Sequence, residues 1–120
     1  EALDQAAGDL LAMGARAVLL KGGHLPGDQV VDVLAQAGDA RQRLASTRIV
    51  SRNVHGTGCT LSSAIAAHLA LGLPLASAVE RARAYILAAI EAGARVQTVH
   101  WHGPLNHGHA PVPLQIRRTP

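Results

Sequence analysis

Phenylalanine is missing from this chain, and Tyr85 and Trp101 are its only aromatic residues. Its core must therefore be built from Leu, Ile, Val and Ala. Cysteine occurs once, at position 59, which excludes an internal disulfide and fits a reducing cytoplasm. Lysine also occurs once, at position 21, whereas arginine recurs along the chain. No apolar run reaches the ~18 residues that a membrane-spanning helix needs, and no charged-then-apolar leader opens the sequence. Acidic residues stop at Glu91, while Arg95, Arg117 and Arg118 follow it, within a net charge of +3. A basic end without interleaved aromatics is a weak footprint for nucleic acid, so neither nucleic acid nor membrane is expected as a partner. The first residue is Glu1 rather than Met, as in a processed or excerpted chain.

What is present fits a small globular unit. The 120 residues are 48% hydrophobic and 16% charged, enough for one modest core. Leu3, Ala7, Leu10 and Leu11 recur at helical spacing, which predicts a helix over 2–14 with Gly14 as its stop. The short apolar run 16–20 reads as a buried strand. Residues 21–28, KGGHLPGD, hold three glycines and a proline and read as a loop. Strands are expected at 29–35 and 43–52, with turn chemistry between them. From Thr60 an Ala-rich helix begins, with Leu61, Ile65 and Leu69 four residues apart, and Gly72 ends it. Pro74 can open a further helix whose buried face is Val79, Ala82, Ile86, Ile90 and Gly93. Residues 103–120 read as an irregular tail. No repeat and no linker divides the chain, so 1–120 reads as a single α/β portion of a larger layered domain.

The chemistry concentrates in residues 55–60, HGTGCT. Gly56 and Gly58 flank Thr57 and let backbone N–H groups approach an anion closely. A helix starting near Cys59 would add its free N–H groups and roughly half a positive charge. That combination suits phosphate, although it is neither a Walker A sequence nor GxGxxG. A glycine turn before a helix is also a common packing device, and both readings stay open at this point. A thiol at a helix N-terminus favours its thiolate form and could serve as nucleophile or base. A lone cysteine is otherwise a small buried residue. Lys21, at the end of a strand, stands where α/β sheets place ligand contacts and could meet a phosphate as a point charge. The alternative is an ordinary solvated lysine. His100, His102, His107 and His109 form two H-x-H pairs, but their spacing matches no standard metal site, and no resident metal is expected from them.

Residues 10–25, LLAMGARAVLLKGGHL, and 49–72, IVSRNVHGTGCTLSSAIAAHLALG, resemble hydroxymethylpyrimidine/phosphomethylpyrimidine kinase of thiamine biosynthesis. The GPLNHGH stretch at 103–109 is similar to that family's C-terminal end. The resemblance covers nearly the whole chain. It implies a ribokinase-like fold, with a central, mostly parallel sheet flanked by helices. It implies ATP and Mg2+ as cofactors, a cytoplasmic enzyme, a homodimer in full-length form, and 4-amino-5-hydroxymethyl-2-methylpyrimidine and its monophosphate as substrates. In most ribokinase-like enzymes the corresponding turn ends in Asp, the general base; this family has Cys, and Cys59 takes that place. Lys21 matches the catalytic lysine of KGGH. Gly56, Thr57 and Gly58 match the anion hole.

Family members are longer. Their N-terminal half carries a GTDPSGGAG-type motif that receives the pyrimidine, and later a TPN segment. Neither string occurs here, so the chain resembles the C-terminal half and is expected to be inactive alone. A pyridoxal/pyridoxine kinase of the same superfamily is the nearest alternative. A non-catalytic fragment with a metal-binding histidine tail is another.

Overall fold

The computed structural model describes residues 2–97 and 103–118. They form two compact units, 1–48 and 49–120.

The first unit runs from helix α1 (Ala2–Ala12) through strands β1 (Ala17–Leu20), β2 (Gln29–Gln36) and β3 (Gln42–Thr47). The helix stops two residues earlier than its spacing suggests, because the chain turns through Gly14 at φ 106°. Alternation along β2 points Val33 and Ala35 to one face and Asp32 and Leu34 to the other. Ala7 of α1 meets Val33 and Ala35 in a small core that Leu3, Leu11 and Leu20 complete. The predicted helix face is therefore realised at three of its positions, while Leu10 stays 39% exposed. An ion pair between Asp4 and Arg43 ties α1 to β3.

The sheet order is β1-β2-β3 and both pairings are antiparallel, with Leu20 opposite Val33 and Asp32 opposite Leu44. This corrects the mostly parallel arrangement expected for these strands. The reason is the connections: 21–28 and 37–41 are too short for a parallel crossover, which needs a dozen or more residues. β3 also ends before the expected position 52. The Arg48 N–H adds one further bond in the register of the β2–β3 pair, donating to the Asp28 carbonyl at 2.8 Å.

The second unit contains α2 (Thr57–Ala70) and α3 (Leu75–Gly93), which pack on each other. All five residues of the expected α3 face are buried. On α2 only Leu61 is fully buried, and Leu69 remains 41% exposed. Residues 103–118 carry no helix or strand, yet Leu105 is 4% exposed and belongs to the core. Buried Asn53 fastens this part of the chain. Its amide nitrogen donates to the carbonyls of Gly93 (2.7 Å) and Val96 (2.6 Å), and its carbonyl oxygen accepts from the Gly103 N–H (2.6 Å). The Asn106 N–H donates to the Ala89 carbonyl, and His55 pairs with Pro104 in a single parallel bridge.

Candidate functional site

The turn before α2 is set by Gly56, at φ 81° and ψ 6°, which is left-handed backbone that a side chain disfavours. Helix α2 starts at Thr57, three residues before the position its apolar spacing suggests. Gly58 and Cys59 thus lie inside the first helical turn rather than ahead of it. No side chain caps this end. Thr57 turns inward instead: its N–H and hydroxyl both donate to the Val54 carbonyl, at 3.2 and 2.6 Å. The Thr60 N–H closes the turn on the Gly56 carbonyl at 2.8 Å. Among the described residues, the N–H groups of Gly58 and Cys59 have no carbonyl partner. Two unsatisfied donors at the positive end of a 14-residue helix are chemically an anion-accepting surface.

Cys59 is a free, exposed cysteine on the same turn. Exposure separates it from the small buried cysteine that was its alternative reading. Gly56, Thr57, Gly58 and Cys59 are therefore brought together as one surface.

Lys21 belongs to the other unit. It is exposed and directly follows β1. Next to it, Gly22 is buried, and its N–H donates at 2.9 Å to Oδ1 of Asp32, which is 5% exposed. No side chain fits at Gly22, since a Cβ there would stand 2.1 Å from the Val31 carbonyl oxygen. Across the loop, one guanidinium reaches three carbonyls: Arg48 donates to Gly23 (2.6 Å), Gly27 (2.7 Å) and Leu25.

The histidine-rich end is partly described. His100 and His102 lie outside the described residues. His107 meets the Thr60 hydroxyl at 3.0 Å, and its carbonyl accepts from the Tyr85 hydroxyl at 2.8 Å. The His109 ring lies 5.2 Å from the Tyr85 ring, centroid to centroid. Among the described residues no group of three or more His, Cys, Asp or Glu is placed to hold a metal ion. No helix among them is long and apolar enough to cross a membrane.

The phosphomethylpyrimidine kinase family model matches residues 1–106. The chain belongs to this family. Over 100 residues it is 51% identical to the hydroxymethylpyrimidine/phosphomethylpyrimidine kinase of Rhizobium meliloti, covering 83% of this chain and 37% of that protein. Among solved structures, it resembles pyridoxal kinase of Bacillus subtilis in an ADP complex, with a TM-score of 0.81 and 34% identity over 89% of this chain and 41% of that one. Pyridoxal kinase of Staphylococcus aureus with AMP-PCP and pyridoxal gives a TM-score of 0.83 and 31% identity, over 89% of this chain and 39% of that one. This phosphomethylpyrimidine kinase family chain thus spans well under half the length of the relatives it matches.

Several residues that shape the family's motifs here escaped sequence reasoning. Asp32 had a signal: it is the one charged residue inside the apolar run QVVDVLA. A carboxylate in a buried strand is held by specific donors. Arg48 had none, being one arginine among ten. Asn53 and Thr60 flank the motif but look like ordinary loop and helix residues.

Proposed function

We propose that the intact protein containing this chain transfers the γ-phosphoryl group of ATP to 4-amino-5-hydroxymethyl-2-methylpyrimidine and then to its monophosphate. Residues 1–120 are one portion of its ribokinase-like domain, with 103–120 as an irregular end. The mostly parallel sheet of that fold then lies in strands other than the three of this chain. The observation that carries the reading is the first turn of α2, where exposed Cys59 stands beside two N–H groups without carbonyl partners.

In the first transfer the Cys59 thiolate accepts the proton of the substrate hydroxyl. The freed oxygen attacks the γ-phosphorus, the bond from that phosphorus to the bridging oxygen breaks, and ADP departs with the electron pair. The Gly58 and Cys59 N–H groups hold the developing negative charge, and a catalytic part as a point charge is what the family resemblance gives Lys21. Catalysis is then positioning and electrostatic stabilisation, as phosphoryl transfer generally is. Mg2+ would neutralise phosphate charge when bound with the nucleotide. The homodimer and the cytoplasmic setting belong to the same proposal and are read by sedimentation and by fractionation.

Removal of a general base costs about 100-fold or more in rate. Cys59→Ala in the intact kinase is expected to lower kcat by that amount and to leave ATP affinity within about 3-fold, because the base acts on the acceptor. Wild-type kcat in that variant would show the base assignment to be wrong. The likeness to two pyridoxal kinase structures favours one competing acceptor, pyridoxal. Initial rates with the pyrimidine alcohol and with pyridoxal decide between them, and a higher kcat/KM for pyridoxal would overturn the pyrimidine reading.

A further inference from the structure

The loop that follows Lys21 is organised by two side chains from other parts of its unit. Asp32, buried on β2, holds the Gly22 N–H at 2.9 Å. Half-buried Arg48, just past β3, holds the carbonyls of Gly23, Leu25 and Gly27 with all three of its guanidinium nitrogens. Its own N–H holds the Asp28 carbonyl. A glycine-rich surface loop normally directs its carbonyls to water and samples many backbone states. Here they converge on a single cation. A planar guanidinium suits this, because its donors point in fixed, divergent directions within one plane, whereas an ammonium offers three donors from one point.

We propose that Arg48 and Asp32 are positioning residues for Lys21: together they freeze the loop 21–28 and so fix the backbone from which the Lys21 ammonium reaches the phosphoryl group. The inference rests on the proposed role of Lys21 for its catalytic consequence, but not for the latch itself. It separates this lysine from a solvated one. An ordinary surface lysine needs no rigid base, whereas a point charge aimed at a transferring group loses much of its effect when misplaced by about 1 Å.

The test uses Lys21 as a cleavage site. A lysine-specific protease cuts after Lys21 only when the adjoining loop opens, and the resulting fragment identifies the site by mass. In the intact kinase, Arg48→Met is expected to raise the rate of that cut roughly 10-fold, since cleavage tracks the open population. The same variant should lower kcat roughly 10- to 100-fold with little change in KM. Arg48→Lys, which retains charge and is the variant to rely on if Arg48→Met fails to fold, should behave like Arg48→Met. Asp32→Ala, which removes the acceptor of the Gly22 N–H, should also speed the cut, and an unchanged rate in that variant would remove Asp32 from the latch. Added guanidinium ion should restore part of kcat to an Arg48→Ala variant, an effect that general loss of stability cannot produce. An unchanged rate of cutting in Arg48→Met and Arg48→Lys overturns the latch. Faster cutting with wild-type kcat overturns the positioning role. If Lys21→Met itself keeps full kcat, the catalytic reading of Lys21 falls, and the protease result still decides whether the latch exists.

Discussion

Thr60 Oγ1 lies 3.0 Å from His107 Nε2, so the first turn of α2 is fastened to the histidine-rich end of the chain. Thr60 is the residue after Cys59, and its N–H also closes that turn on Gly56. Tyr85 of α3 in turn holds the His107 backbone. A stretch that reads as tail is thereby part of the support of the candidate anion site. Thr60→Val and His107→Leu are each expected to lower unfolding stability by about 0.5–1.5 kcal/mol. The double variant should lose less than the sum, because each single change already breaks the shared contact. Urea unfolding of the four proteins measures this, and strict additivity would mean the contact carries no energy.

Asn53 ties residues 93, 96 and 103 of the second unit together. Asn53→Ala removes the acceptor of the buried Gly103 N–H, while the Gly93 carbonyl keeps the Val96 N–H and Val96 itself is exposed. With one buried group left unsatisfied, the loss should be about 1–3 kcal/mol. Asn53→Asp keeps an acceptor for Gly103 but sets a carboxylate oxygen against two carbonyls, so it should also destabilise. The midpoint of urea unfolding reads both, and a shift worth less than about 1 kcal/mol in Asn53→Ala would show that water replaces the amide.

Gly58 separates stability from function. Nothing lies within 4 Å of a Cβ built there, and its place in α2 is helical. Gly58→Ala should therefore stabilise by about 0.5–1 kcal/mol, the usual gain of Ala over Gly in a helix. The added methyl adjoins the Gly58 and Cys59 N–H groups that would receive phosphate, so kcat/KM for ATP in the intact kinase should fall if it obstructs them. A thermal scan and a kinase assay together test this. A variant both more stable and fully active would remove the anion role from this turn.

Cys59 should matter unequally in the two proposed transfers. In the first, the acceptor is an alcohol and a proton must leave it. In the second, the acceptor is a phosphate monoester, which near pH 8 has already lost its second proton, whose pKa is about 6. A base is then superfluous. Cys59→Ala is expected to lower the rate of alcohol phosphorylation at least about 10-fold more than that of monophosphate phosphorylation. Equal losses in the two assays would point to a role in holding charge rather than accepting a proton.

Much of this was legible in the sequence because it is local. The α3 face follows from helical spacing alone, and Pro74 and Gly72 bracket the break between α2 and α3. The KGGH and HGTGC strings marked the family that the comparisons then showed. The boundaries at the site were less legible. The apolar spacing of α2 begins late, yet left-handed Gly56 lets the helix start at Thr57 and draws Gly58 and Cys59 into its first turn. The strand expected over 43–52 ends at Thr47, and the Arg48 side chain just beyond it binds carbonyls of the 21–28 loop.

The sequence by itself determined which residues could do chemistry: one cysteine, one lysine, two glycines around a threonine, all in local strings whose backbone preferences are intrinsic. Tertiary structure decided what surrounds them. Antiparallel pairing follows from connections too short to cross over. The burial of Leu105, the three-way grip of Asn53 and the convergence of three carbonyls on Arg48 each join residues far apart in sequence. Such contacts have no period and no motif. They exist because buried polar groups must find partners, and only the folded chain settles which ones are near.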